Sequence, residues 1–183
     1  MRRVFKVIII FVSFLAIGLL ANRYYYDFKE CWTLRNKIIW TKSKELVWSD
    51  FVYDENLDLT DNIDANIGIS ARYRINNKIH YRSNTVFVPS KSFVSDTTNP
   101  LALRIANTRF DLCEVYRRKL ETRIDSLRTV GSENIDLEDL AKQDVIFVEK
   151  FSEEWTKFLN VPQKEMLAEL EILETRIKKE LSN

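Results

Sequence analysis

Leu103-Arg104-Ile105-Ala106-Asn107-Thr108-Arg109-Phe110-Asp111-Leu112-Cys113-Glu114-Val115-Tyr116-Arg117-Arg118-Lys119-Leu120 decides how the second half of the chain folds. Just upstream, Asn99 is a good helix N-cap and Pro100 suits the first helical position, where a missing N–H costs nothing. The spacing predicts a helix from Pro100 to about Arg128. Its apolar stripe is Leu101, Ile105, Leu112, Cys113, Tyr116, Leu120, Ile124 and Leu127, and Arg109 lies on the same face. Gly131 and Ser132 break the chain, and Asp136 caps a second helix striped by Leu140, Val148, Phe151, Trp155 and Phe158 to about Leu159. Pro162 opens a third, striped by Met166, Leu170, Leu173, Ile177 and Leu181.

The preceding residues have a different period. Lys37 to Trp40, Glu45 to Val52, Ile67 to Ile75 and Lys78 to Val88 are rich in β-branched and aromatic residues and read as strands. In the third, Ile67, Ile69, Ala71, Tyr73 and Ile75 alternate with smaller or polar residues, as in a sheet with one buried face. Asn76-Asn77 suits a hairpin turn, because asparagine tolerates positive φ. The expected fold is α+β: a small antiparallel sheet over 37–95 packed with about three helices over 100–182, forming one domain from 37 to 183.

The composition, with 45 % hydrophobic and 30 % charged residues, is that of a globular protein. Basic and acidic residues number 28 and 27, so no broad basic face for nucleic acid is implied. The acidic segment Asp54 to Asp64 begins like a calcium loop, but Leu59 replaces the turn glycine and Ala65 stands where a bidentate Glu is needed. It reads as a solvated loop. The single histidine, His80, reads as a sheet side chain.

Arg2, Arg3 and Lys6 precede an apolar run from Val7 to Ala21, the order of a secretory signal or a membrane anchor. Val4 to Ala21 reaches the minimum length of a spanning helix if Lys6 snorkels, and Tyr24 to Tyr26 suit the membrane–water interface. Small residues are poorly placed for cleavage, so 1–22 is expected to be an uncleaved single-pass anchor, with secretion after cleavage as the alternative. Residues 23–36 form a stalk, and the basic N-terminus stays in the cytoplasm. In an oxidising compartment Cys31 and Cys113 could bridge, or Cys113 could stay a buried free thiol on its helix stripe.

The helix quoted above resembles the zinc helix of a bacterial domain-of-unknown-function family described as secreted zinc-dependent proteases, whose pattern is L-x-H-E-Q-x-H-F-D-I-x-E-x-Y-x-R-K-L. Phe110, Asp111, Glu114, Tyr116, Arg118, Lys119 and Leu120 match in register. Trp40, Leu46, Trp48, Ser49, Asp50 and Phe51 are similar to its W-x-L-x-W-x-D-F block. Ala65 to Ile69 and Ser92-Phe93-Val94 are similar to its A-x-x-x-I and S-W-V elements, with Phe93 for Trp. The resemblance runs from about Trp40 to Leu127. In an H-E-x-x-H helix two histidines bind zinc and the glutamate activates the metal-bound water. Here Ile105, Ala106 and Arg109 stand at those three positions. Isoleucine has no lone pair, alanine takes no proton, and arginine is a permanent cation. Neither a metal nor another cofactor is therefore implied.

The resemblance implies a degenerate, non-catalytic member, anchored in a bacterial cytoplasmic membrane with its domain outside, that binds a peptide or envelope protein. Its candidate cleft is Ile105, Ala106, Arg109, Asp111 and Glu114. In it Arg109 pairs with a nearby acid or with a ligand carboxylate, while Arg117-Arg118-Lys119 reads as a solvated helix face. One alternative is a structural subunit docking through its C-terminal helices. Another is a hydrolase using Asp111 and Glu114 without zinc, although no nucleophile or base accompanies them. An open cleft at Ile105 and Arg109 would favour ligand binding; a filled cleft beside an exposed stripe on the last helix would favour assembly.

Overall fold

Ile67–Ile75 and Ile79–Phe87 pair antiparallel along their whole length, from Ile67 opposite Phe87 to Ile75 opposite Ile79. This is the expected hairpin, and it organises the larger of two units. The structure is a computed structural model describing residues 18, 21, 24–25, 27–57, 62–75, 79–130 and 136–182. The units are 1–36 and 37–183. The proposed turn Asn76-Asn77 lies outside the described residues.

In the first unit, residues 27–34 are helical. Phe28 and Trp32, one turn apart, stack at 6.3 Å, and the Thr33 hydroxyl donates to Lys29 O. Among the described residues no helix is long and apolar enough to cross a membrane. The apolar run expected to do so lies, apart from Gly18 and Ala21, outside them.

The second unit contains six strands and three α-helices among the described residues. Strand β1 is Ile38–Ile39, β2 Val52–Tyr53, β3 Ile63–Asp64, β4 Ile67–Ile75, β5 Ile79–Phe87 and β6 Phe93–Val94. One sheet has the order β1-β5-β4 and is antiparallel throughout. The other has the order β2-β6-β3, with β6 parallel to β2 and antiparallel to β3. The α+β architecture follows expectation, but the strand region forms two small sheets where one was expected.

Glu45 to Val52 is the main departure. Its Leu46 N–H donates to Asn107 Oδ1 at 2.7 Å, and Asn107 Nδ2 returns a bond to Leu46 O at 3.1 Å. An asparagine side chain thus takes the backbone groups a ladder would have used. Asp50 then accepts from Val47 N and Lys44 Nζ, closing Trp48–Asp50 into a 3-10 turn. Only Val52 and Tyr53 enter a sheet. The segment before β3 turns at Asn62, whose φ of 60° is one that asparagine tolerates. Buried Ser92 joins the two sheets: its hydroxyl accepts from Asn66 N and donates to Val88 O, both at 2.9 Å.

Helix α1, Pro100–Val130, is central; α2 is Leu137–Leu159 and α3 Met166–Ser182. Asn99 caps α1 through Leu101 N, and Asp136 caps α2 through Asp139 N, as the sequence suggests. Residues Pro162 to Glu165 form a turn rather than helix, with Glu165 N and Met166 N both on Pro162 O. Helix α1 packs on β4 and β5 and on both later helices, so its middle is covered on several sides. Ala106, Thr108, Phe110, Leu112, Cys113, Glu114 and Val115 are all buried. Phe110 joins Leu46, Phe51, Phe87 and Val94 towards the sheets; Leu112 and Cys113 join Phe151, Trp155, Leu170 and Ile177 towards the helices. Each such large apolar side chain contributes about 1.5–3 kcal/mol on burial. The expected stripe of α2 holds except at Val148, which is exposed, and that of α3 is buried at Leu170, Leu173 and Ile177.

Candidate functional site

Ile105, Ala106 and Arg109 lie one turn apart on α1, and all three line one cleft of about 570 Å³. Asn62, β3 and Ala65 form one wall. Trp155 and Leu159 from the end of α2, with Gln163, Met166 and Leu167, form the other. Ala106 is buried, so its methyl belongs to the floor; Leu159 and Leu167 are exposed at the rim. The volume lies in the range of small-molecule sites, and the lining mixes apolar side chains with Asn62, Asp64, Asn99, Arg109 and Gln163.

Arg109 supplies the cleft's cation, and Asp64 of β3 is the acid in its lining. Arg109 Nη1 donates to Ala65 O at 3.0 Å, and its guanidinium carbon lies 5.6 Å from the centre of the Trp155 ring, a cation–π arrangement. Its Nε is buried without a hydrogen-bond partner. Burial pushes the guanidinium below its ordinary pKa, against the opposing influence of the Asp64 charge. Among the described residues no carboxylate stands within salt-bridge distance of it. The pairing with Asp111 or Glu114 foreseen as its structural role does not form, because those acids are committed elsewhere.

Asp111 Oδ1 accepts from Trp40 Nε1 at 2.6 Å in a different groove. Burial raises its pKa, the Trp40 bond opposes the rise, and the Glu45, Glu114 and Glu174 charges add to it. Glu114 is 3 % exposed and accepts from Arg117 Nε and Nη2, Arg118 Nε and the Thr85 hydroxyl, at 2.7 to 3.0 Å. Burial alone would raise its pKa, but the bonds from Arg117 and Arg118 outweigh that and leave it below the ordinary value. Of the five cleft residues expected, three come together and two do not. Asp111 and Glu114 therefore share no cleft in which they could act as an acid–base pair. Arg117 and Arg118, expected on a solvated face, instead hold a buried carboxylate.

The second groove, about 640 Å³, is larger than the first. In it Arg104 forks onto Glu174 at 2.7 and 2.8 Å, Thr108 donates to Glu174, and Asn107 holds Leu46. The smaller cleft differs in holding a guanidinium whose Nε is buried without a hydrogen-bond partner. Cys31 is an exposed cysteine of the first unit and Cys113 a buried cysteine of the second. His80 is exposed on its strand. Among the described residues no three His, Cys, Asp or Glu side chains are grouped closely enough to hold a metal ion.

Sequence reasoning did not find the two walls. Trp155 and Leu159 carry the same helical periodicity as core residues, and Ile63 to Ala65 ends an acidic stretch that reads as loop. Comparison with protein-family models, curated proteins and solved structures finds no match for this chain.

Proposed function

We propose that this chain is a non-catalytic, membrane-anchored binding protein of the bacterial envelope, related to the secreted zinc proteases it resembles, whose domain takes a ligand in the cleft at Ile105, Ala106 and Arg109. The observation that carries the reading is that this cleft is open while the stripe of the last helix is covered. Leu170, Leu173 and Ile177 of α3 are buried, and the helix is tied to α1 by Arg104–Glu174 and Lys119–Glu180. That favours ligand binding over assembly through the C-terminal helix.

The residues bearing the resemblance also meet in space. Trp40 bonds Asp111, Glu114 bonds Arg118, and Leu46, Phe51, Ala65 and Phe110 share one core cluster. This supports retention of a common frame around a site that has exchanged its metal-binding side chains for an apolar surface and a cation. The N-terminal basic residues and apolar run support anchoring, with the domain outside the cytoplasm.

The test is metal content by mass spectrometry on the full chain purified from membranes in detergent, with a casein-cleavage assay on the same preparation. The expected result is no stoichiometric zinc and no cleavage. One zinc per chain, or cleavage abolished by a chelator, would overturn the reading.

A further inference from the structure

Among the described residues Arg109 is a partly buried cation of α1 with no carboxylate within salt-bridge distance, the Asp64 charge acting on it only from further off. Arg104 has Glu174, Arg117 has Glu114 and Glu121, and Lys119 has Glu180. Arg109 has a backbone carbonyl, a ring face and a buried Nε without a partner. Removing a cation from water without a counter-charge is costly, and a carboxylate that forks onto the guanidinium offsets the cost better than water does. Beside this charge Leu101, Ile105, Leu159, Met166 and Leu167 offer a surface for a hydrocarbon or aromatic body. In the second groove the partly buried guanidinium, Arg104, is already forked onto Glu174.

We infer that the cleft binds a compact amphipathic monocarboxylate, its anionic head against Arg109 and its apolar body against Ile63, Leu159 and Leu167. The inference rests on the binding-cleft reading above and names its ligand class. The head group could belong to a free organic acid or to the C-terminus of a chain ending in an apolar residue; the recognising chemistry is the same.

The test is isothermal titration of the full chain in detergent with 4-phenylbutyrate and its uncharged isostere 4-phenylbutanamide. A parallel pair is a short peptide ending in leucine, with a free or an amidated C-terminus. A charge-assisted hydrogen bond of ordinary strength predicts about tenfold or greater preference for the acid in at least one pair. The phenylbutyrate pair reports a free acid, the peptide pair a chain terminus. Arg109→Gln should abolish the preference, while Arg109→Lys, which keeps the charge without the fork, should retain part of it. Leu167→Trp, a change at an exposed rim position, should weaken acid and amide together. No preference in either pair, or a preference undiminished in Arg109→Gln, would overturn the ligand class. With zinc and casein cleavage both absent, that result leaves the binding-cleft reading standing; zinc or cleavage would remove that reading itself.

Discussion

Trp40 Nε1 and Asp111 Oδ1, 71 positions apart in the chain, meet at 2.6 Å. The bond fastens the segment after β1 to the middle of α1, and it does so with a carboxylate that burial disfavours. Asp111 has a raised pKa, so in the folded state its ionised form is penalised above that pKa, and the penalty is relieved as pH falls through it towards the ordinary 3.8. Asp111→Asn keeps an acceptor for Trp40 and removes the penalised charge. It should equal or exceed wild type in stability at pH 7, with the advantage vanishing as pH falls towards 3.8. Asp111→Ala, which strands the indole N–H, should cost about 1–3 kcal/mol. Urea unfolding of the three proteins at pH 7 and pH 4 checks both outcomes.

Glu114 has the opposite sign. Its folded pKa lies below the ordinary 4.5, so its stabilising contribution is complete above 4.5 and is lost as pH falls through the lower folded value. Glu114→Gln leaves the buried Arg117 with fewer anionic partners and should destabilise by about 3–5 kcal/mol at pH 7. The difference from wild type should narrow below pH 4.5. An equal difference at pH 7 and pH 3.5 would contradict the assignment.

The two cysteines should differ in reactivity. The Cys113 thiol is fully buried, and burial pushes its pKa up to about 12, so almost no thiolate is available at neutral pH. Cys31 is exposed. An aromatic disulfide reagent at pH 8 should titrate one thiol quickly and the second only after denaturant is added, and Cys31→Ser should remove the fast phase.

What was legible in the sequence is local. Asn99, Pro100 and Asp136 mark their helices because capping uses neighbouring atoms, and β4 alternates because one face is buried. What was not legible depends on distant partners or has no length to show a period. Strands β2, β3 and β6 have two residues each, too few for alternation. Glu45 to Val52 has the composition of a strand, but Asn107, some sixty positions on, takes its backbone groups. Ile105, Ala106 and Arg109 stood out against the H-E-x-x-H pattern. Trp155 and Leu159 did not, because a helical stripe has the same spacing whether it faces a core or a cleft.

The contrast between Arg109 and Arg117 tests whether the cleft carries a cost held for binding. Both are partly buried arginines on α1. Arg117 forks onto Glu114 and also reaches Glu121 at 2.7 Å. Arg109 Nε is buried without a hydrogen-bond partner. Arg117→Met should therefore destabilise by about 3–5 kcal/mol, because it abandons a buried carboxylate. Arg109→Met removes a desolvated cation that lacks a carboxylate partner, and its methylene stem can still pack on Trp155. It should leave stability unchanged or raise it, the loss of one bond to Ala65 O, about 1 kcal/mol, being offset by the relieved desolvation. Thermal unfolding of the two variants against wild type gives the comparison. A loss at Arg109→Met as large as at Arg117→Met would mean that Arg109 stabilises the fold rather than serving a ligand.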